Sequence, residues 1–271
     1  MATVADGLVH DSRDFPRDRP LENAIDRWIY VFMAAWFIAI VLNGFIPSSI
    51  AKIAAVQAGQ RPPFPMIMHM HAVLMGSFLL LLLAQTWLAA IGRCDIHRRL
   101  GLSGMVIAPA LVIVGFLFVP ANYHAVWTAA QGSGPVAEVM RERLLMLDNI
   151  LLLQLRIGLL FPLFLAIGLR ARAGNSGLHK RMMILATAMA LPAGIDRIPW
   201  LPTTLPDSAM APDLYTLLAV APLFAWDVIR HHKAHRAWIL WIGINIPFAI
   251  LLHSLWDTAW WHQAAPAIMG V

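Results

Sequence analysis

A small set of histidine, aspartate and arginine side chains could do chemistry in this chain, and they fall into two groups. The first comprises His69 and His71 in Pro65-Met66-Ile67-Met68-His69-Met70-His71, then Asp148, Asp196-Arg197, His253 and Asp257. Imidazole and carboxylate gathered in a dry setting suit a first-row transition metal, a haem iron or a proton relay. On a regular helix, residues two apart point about 200° away from each other. One of the two histidines, His71, is therefore expected to face the interior. A metal held among His69, His71, Asp148, Asp196 and His253 would resemble a His and carboxylate oxygenase or hydrolase centre, with Asp148 as ligand or general base. The competing reading makes each of these a polar residue at a helix end, paired with an arginine or with water. Arg156 lies deep in an apolar block, too far from its ends to snorkel. It requires a partner: an anion, a quinone carbonyl or a haem propionate, or else a carboxylate such as Asp148 in a buried ion pair.

The second group is His97-Arg98-Arg99-Leu100-Gly101 and His179-Lys180-Arg181-Met182-Met183. Each is a histidine, two basic residues and then an apolar stretch. Basic residues at this position anchor a helix to the membrane surface, and two matching histidines could also ligate a cofactor or bind a headgroup phosphate. The run Arg230-His231-His232-Lys233-Ala234-His235-Arg236 reads as a charged turn. Met66, Met68, Met70 and Met75 bracket the first histidine pair; thioethers suit Cu(I), but methionine is also a common filler of apolar helices, which is the preferred reading.

The elements that must position these groups are transmembrane helices. The 271 residues are 59% hydrophobic and 13% charged, with a mean hydropathy of +0.67, whereas soluble domains carry about 25% charged residues. A spanning helix needs about 20 mostly apolar residues. Blocks at 27–47, 66–92, 100–122, 145–170, 181–201, 213–230 and 237–258 qualify, predicting an all-α polytopic bundle of about seven helices. Pro192 and Pro199 interrupt the fifth block, and Pro222 and Asp227 the sixth, breaks that neighbouring helices can absorb. Residues 1–26 are expected to form a cytoplasmic tail and 259–271 a short outer tail. Most Lys and Arg fall on the side of Arg27, Arg98, Lys180 and Arg230, while Lys52, Arg61, Arg141, Arg143 and Arg197 form a sparser set on the other. Basic loops resist translocation, so the N-terminus is expected in the cytoplasm of a bacterial inner membrane and the C-terminus in the periplasm. Scattered in short spacers, the basic residues behind the net charge of +5 report topology rather than nucleic acid. The spacers 48–65, 123–144 and 202–212 are expected as loops. No cleaved signal peptide is expected, and the single cysteine, Cys94, excludes an internal disulfide or cysteine metal motif.

The stretch His71-Ala72-Val73-Leu74-Met75, a long apolar helix, and then His97 at the start of the next resembles the first half of the cytochrome b561 type of diheme membrane oxidoreductase. The resemblance implies haem b bound near opposite faces, with His71 serving one and His97 the other. That family takes its second ligands from the next two helices. Here the fourth block has no histidine, so His179 would partner His97, and His71 would turn to His253. The strings His-Arg-Arg-Leu-Gly and His-Lys-Arg-Met-Met look like an uncharacterised group of bacterial multipass membrane proteins, which implies no activity.

The leading expectation is a membrane redox protein that binds haem b or a non-haem iron or copper ion through bundle histidines and exchanges electrons with quinone or a partner protein. Arg156 and Arg197 would be propionate partners. The alternative is a small-solute or proton transporter, or an accessory or assembly subunit of a membrane complex. No Walker A or Rossmann fingerprint, no His-Glu-x-x-His and no lysine in the seventh block occur, which disfavours an ATPase, a nicotinamide dehydrogenase, a gluzincin-type protease and a rhodopsin.

Overall fold

A computed structural model describes residues 20–271. The N-terminal charges at Asp6, Asp11, Arg13, Asp14, Arg17 and Arg19 lie outside the described residues. The described chain is helical, in the order α1 (Pro20–Gln57), α2 (Met66–Ala90), α3 (Cys94–Ala130), α4 (Pro135–Ala171), α5 (Ser176–Ala188), α6 (Pro192–Ile195), α7 (Met210–His231), α8 (Arg236–Leu255) and α9 (Ala259–Met269). Six of these, α1 to α4 with α7 and α8, are long and apolar enough to cross a bilayer.

The fifth expected span is broken. α5 ends at Ala188 and a single turn, α6, restarts at Pro192, whose ring lacks an N–H and cannot continue the helical ladder. Yet this broken segment is the most enclosed part of the molecule, with Met182, Ile184, Leu185, Ala186 and Ala188 fully buried. Irregular backbone is tolerated at membrane depth only where protein surrounds it, and α1, α4, α7 and α8 do so here. The fit against α1 depends on glycine: a Cβ on Gly44 would lie 1.9 Å from the Gly194 carbonyl oxygen.

The bundle is packed unevenly. Only 17% of the spanning windows of α2, α3 and α8 is buried, against 39% and 44% for α1 and α4. Leu80, Val106, Ile113 and Leu117 point outward, which costs little where the surroundings are lipid tails as apolar as leucine.

The spacers depart from expectation. α1, α3 and α4 have 38, 37 and 37 residues. Each is about 55 Å long at the 1.5 Å helical rise, well over the roughly 30 Å of hydrocarbon. Residues 48–57, 123–130 and 135–144, expected in loops, are continued helix. Pro135 opens α4 directly after Gly134, whose φ of 84° makes the turn. Residues 259–271, expected as a tail, form α9, which packs on α4 and α3. Trp261 and Ala265 of α9 join Leu151, Leu152, Leu153, Leu252 and Trp256 in a second core.

Candidate functional site

Two polar sites lie along α4. Asp148 marks one and Gly168 the other, about 30 Å apart by helical rise.

At the first, α4 carries Asp148 inward to 2% exposure. The Tyr123 hydroxyl of α3 donates to its Oδ1 at 2.6 Å, and His262 Nδ1 of α9 donates to its Oδ2 at 2.9 Å. The Trp261 indole N–H donates to the Asp148 carbonyl at 2.6 Å. The other ring nitrogen of His262 faces Asp257 Oδ1 at 3.0 Å. Asp257 is held in turn by Asn149, which accepts its backbone N–H at 2.9 Å. A carboxylate only accepts, so an imidazole between two of them is satisfied when both nitrogens carry protons. Burial opposes that charge, but the bonds to Asp148 and Asp257 outweigh it and hold the His262 pKa above its ordinary value. The same hydrogen bond from His262, aided by Asn149, lowers that of Asp257.

Two turns further along α4, Arg156 is 4% exposed. Its partner is Asp213 in the first turn of α7, not Asp148. The guanidinium takes both carboxylate oxygens, with Nη1 to Oδ2 at 3.0 Å, and His253 Nε2 of α8 meets the same Oδ2 at 3.0 Å. Asp213 thus ties three helices together in a bidentate, charge-assisted bond.

The expected five-residue metal layer is not assembled. His69 is exposed at the start of α2, edge-on to Phe64. His71 does face inward, but its ring stacks on Phe118 of α3 at 5.5 Å and 16°, in the space left by Gly115. Asp196 lines a small crevice with Thr203 and Tyr215. His253 belongs to Asp213, so it does not pair with His71. Arg197 donates to the Ala193 carbonyl and lies over Phe45, apart from any of these histidines in its contacts. Among the described residues, no three His, Cys, Asp or Glu side chains converge as metal ligands. Agreement in depth, which the sequence conveys, is not agreement in azimuth.

At the second site the two matching histidines do meet. Asn175 caps α5 by accepting the Leu178 N–H at 2.8 Å, and His179 follows in the first turn. His97 sits at the start of α3. Their ring centres are 6.5 Å apart with planes at 90°. His97 Nδ1 bonds the Gln85 carbonyl of α2 at 3.1 Å, and His179 Nδ1 bonds the Gly168 carbonyl of α4 at 2.8 Å. Because a carbonyl only accepts, both Nδ1 atoms carry a proton, so the neutral form of each ring has its lone pair on Nε2. The Gln85 side-chain amide, beside Gly101 on α3, is buried with neither its nitrogen nor its oxygen hydrogen-bonded.

Next along α5, Arg181 forms a buried bidentate pair with Asp227 of α7 at 2.8 and 2.6 Å, and the Trp238 indole donates to the same carboxylate at 2.7 Å. A cavity of about 330 Å³ opens beside it, lined by Asp26, Arg27, Tyr30, Lys180 and Trp226.

Sequence reasoning missed Tyr123, Asp213 and His262. Asp213 and Tyr123 sit at the edges of apolar blocks, where one polar residue is unremarked, and His262 lies in what hydropathy marks as a tail. The one available cue was Arg156, whose need for a carboxylate pointed to some unassigned aspartate. No protein-family model, no curated protein and no solved structure matches this chain.

Proposed function

We propose that this multipass membrane protein is a redox protein of the bacterial inner membrane, holding a haem b or a single transition-metal ion between His97 and His179 and passing electrons to quinone or a partner protein. The observation that carries this reading is the histidine pair: two rings from different helices, each with Nδ1 committed to a backbone carbonyl and Nε2 left as a donor to metal. Such outer bonds orient a ligating imidazole and raise its basicity. Rings sharing one metal ion at about 2 Å per Nε2 have centres roughly 6 Å apart, close to the 6.5 Å found between His97 and His179. Bound iron or copper would supply the one-electron chemistry; the chain's residues bind it, fix the ring orientations and exclude water. With the N-terminus cytoplasmic, this centre lies at the cytoplasmic face. The outer haem suggested by the resemblance, between His71 and His253, has no such support.

A second reading, a proton or small-solute carrier or an accessory subunit, draws on the continuous set Asp257, His262, Asp148 and Tyr123, which links an exposed carboxylate, 71% accessible, to a buried one at 3%. The absorption spectrum of purified protein, with elemental analysis for iron and copper, separates the two. A Soret band that shifts on dithionite, or one stoichiometric metal, lost in both His97→Ala and His179→Ala, supports the redox reading. Colourless, metal-free protein from cells supplied with haem and metals sinks it and favours the second.

A further inference from the structure

The first turns of α1 set Asp26, Arg27 and Tyr30 on one side of the helix, since Tyr30 follows the other two by four and three residues. That side closes the cavity of about 330 Å³ against Lys180 and Arg181 of α5 and Trp226 and Asp227 of α7, and the three helices contact one another. The volume lies at the lower end of the range for small-molecule sites. Because Lys180 follows His179 in the chain, the cavity lies at the same end of the bundle as the histidine pair.

The carboxylates of this cavity are already engaged. Asp26 Oδ1 accepts the Trp226 indole N–H at 2.8 Å, and its Oδ2 accepts Nε of Arg230 at 2.9 Å. Both Asp227 oxygens are held by Arg181, and Trp238 adds its indole N–H. Two of the donors are not engaged. Tyr30 is 8% exposed, yet its hydroxyl makes no hydrogen bond among the described residues, whereas Tyr123 gives its own to Asp148. A buried tyrosine hydroxyl ordinarily finds a partner. Arg27 gives Nε to the Ala90 carbonyl at the end of α2, which leaves its two Nη groups without an acceptor among the described residues. The Lys180 ammonium lies over the Tyr30 ring at 4.9 Å. Three cations, Arg27, Lys180 and Arg181, thus line the cavity with two carboxylates.

We propose that this cavity binds a small organic anion whose carboxylate or phosphate accepts the Tyr30 hydroxyl and an Nη group of Arg27. A ligand rich in acceptors suits a cavity whose own carboxylates are taken, and bonds from a hydroxyl or guanidinium to an anionic oxygen are the stronger kind. The Trp226 ring, fixed by its bond to Asp26, offers an apolar wall for the body of the ligand. The site is distinct from the histidine pair and stands whether or not that pair holds a metal. The anion is either a soluble one from the aqueous side or the headgroup of an anionic lipid.

The test follows thermal unfolding of the full chain in detergent, titrated separately with benzoate, phenyl phosphate and short-chain phosphatidylglycerol, against chloride at matched ionic strength and against neutral benzamide. The expected result is a saturable rise in Tm with at least one of the three anions and none with benzamide. A response to benzoate or phenyl phosphate alone identifies a soluble anion, the lipid alone a headgroup, and both kinds a site open to either. In Tyr30→Phe, half-saturation moves about tenfold to higher ligand concentration. The Tm of that variant without ligand stays at the parent value, because the hydroxyl holds nothing in the ligand-free protein; a purely structural hydroxyl would lower it. Arg27→Gln shifts half-saturation in the same direction and carries the test by itself if Tyr30→Phe does not fold. No response beyond that of chloride, a response matched by benzamide, or one unchanged in both variants overturns the proposal.

Discussion

The two ends of α4 hold their polar groups in opposite states. Around Asp148 the carboxylate, the imidazole and the phenol are partnered with one another. At the His97 and His179 end, one nitrogen of each ring is anchored and the other has no partner among the described residues, while a glutamine amide nearby is buried with neither atom bonded. A closed network spends its donors and acceptors on the fold, and an open one keeps them for a ligand. Buried polar atoms without partners are uncommon enough to ask for a reason. This contrast favours the histidine pair for the proposed binding role, while the Asp148 network ties α9 to α3 and α4.

Substitutions can break or sharpen that contrast. On the proposed redox reading, the largest effect is expected at the open end: His97→Ala or His179→Ala should abolish the cofactor's absorption, while cofactor-free protein loses only about 1 kcal/mol, because each imidazole makes one hydrogen bond to a backbone carbonyl. At the closed end the pattern should invert. Asp148→Ala leaves the Tyr123 hydroxyl and the His262 ring without their acceptor, and thermal or denaturant unfolding should register a loss of about 3 kcal/mol, with cofactor content retained. Equal cofactor loss in both classes of variant would erase the distinction between the ends.

Arg156 and Asp213 offer an intermediate case. Either Arg156→Met or Asp213→Leu strands a buried charge and should cost about 3 kcal/mol or more. The double variant should recover much of that, measured as a positive coupling in a double-mutant cycle. Failure to recover would mean that the third member, the His253 ring on the same carboxylate, is as costly to strand as the guanidinium.

The smallest effect concerns pH. The pKa of His262 is raised in the folded protein, so the stabilisation it provides is complete below the ordinary imidazole value of about 6.5. It is lost as pH rises through the higher folded value. Docking of α9, followed by hydrogen exchange or by fluorescence of Trp261, should loosen on that alkaline side. His262→Gln should remove this pH dependence. Asp148 and Asp257 are the charged groups facing the ring, and the partial exposure of His262, 18% at its side chain, keeps the effect modest.

What the sequence alone determined was the helical, many-spanned character of the chain, because an apolar run of about 20 residues leaves a backbone in lipid few alternatives to helix. It also marked His97 and His179 as matched, since each opens a helix behind the same basic pattern. The tertiary structure decided everything that depends on azimuth. Asp148 met Tyr123 and His262 rather than His71, Arg156 met Asp213, and His253 turned to Asp213 instead of a haem. The lengths of α1, α3 and α4 and the existence of α9 were likewise hidden, because helix continuing beyond the bilayer loses its hydropathy and looks like loop. Depth along a span is written in one dimension and can be counted; which faces of which helices meet is a property of packing, and Gly44 against Gly194 or Trp261 against Asp148 becomes visible only once the helices are assembled.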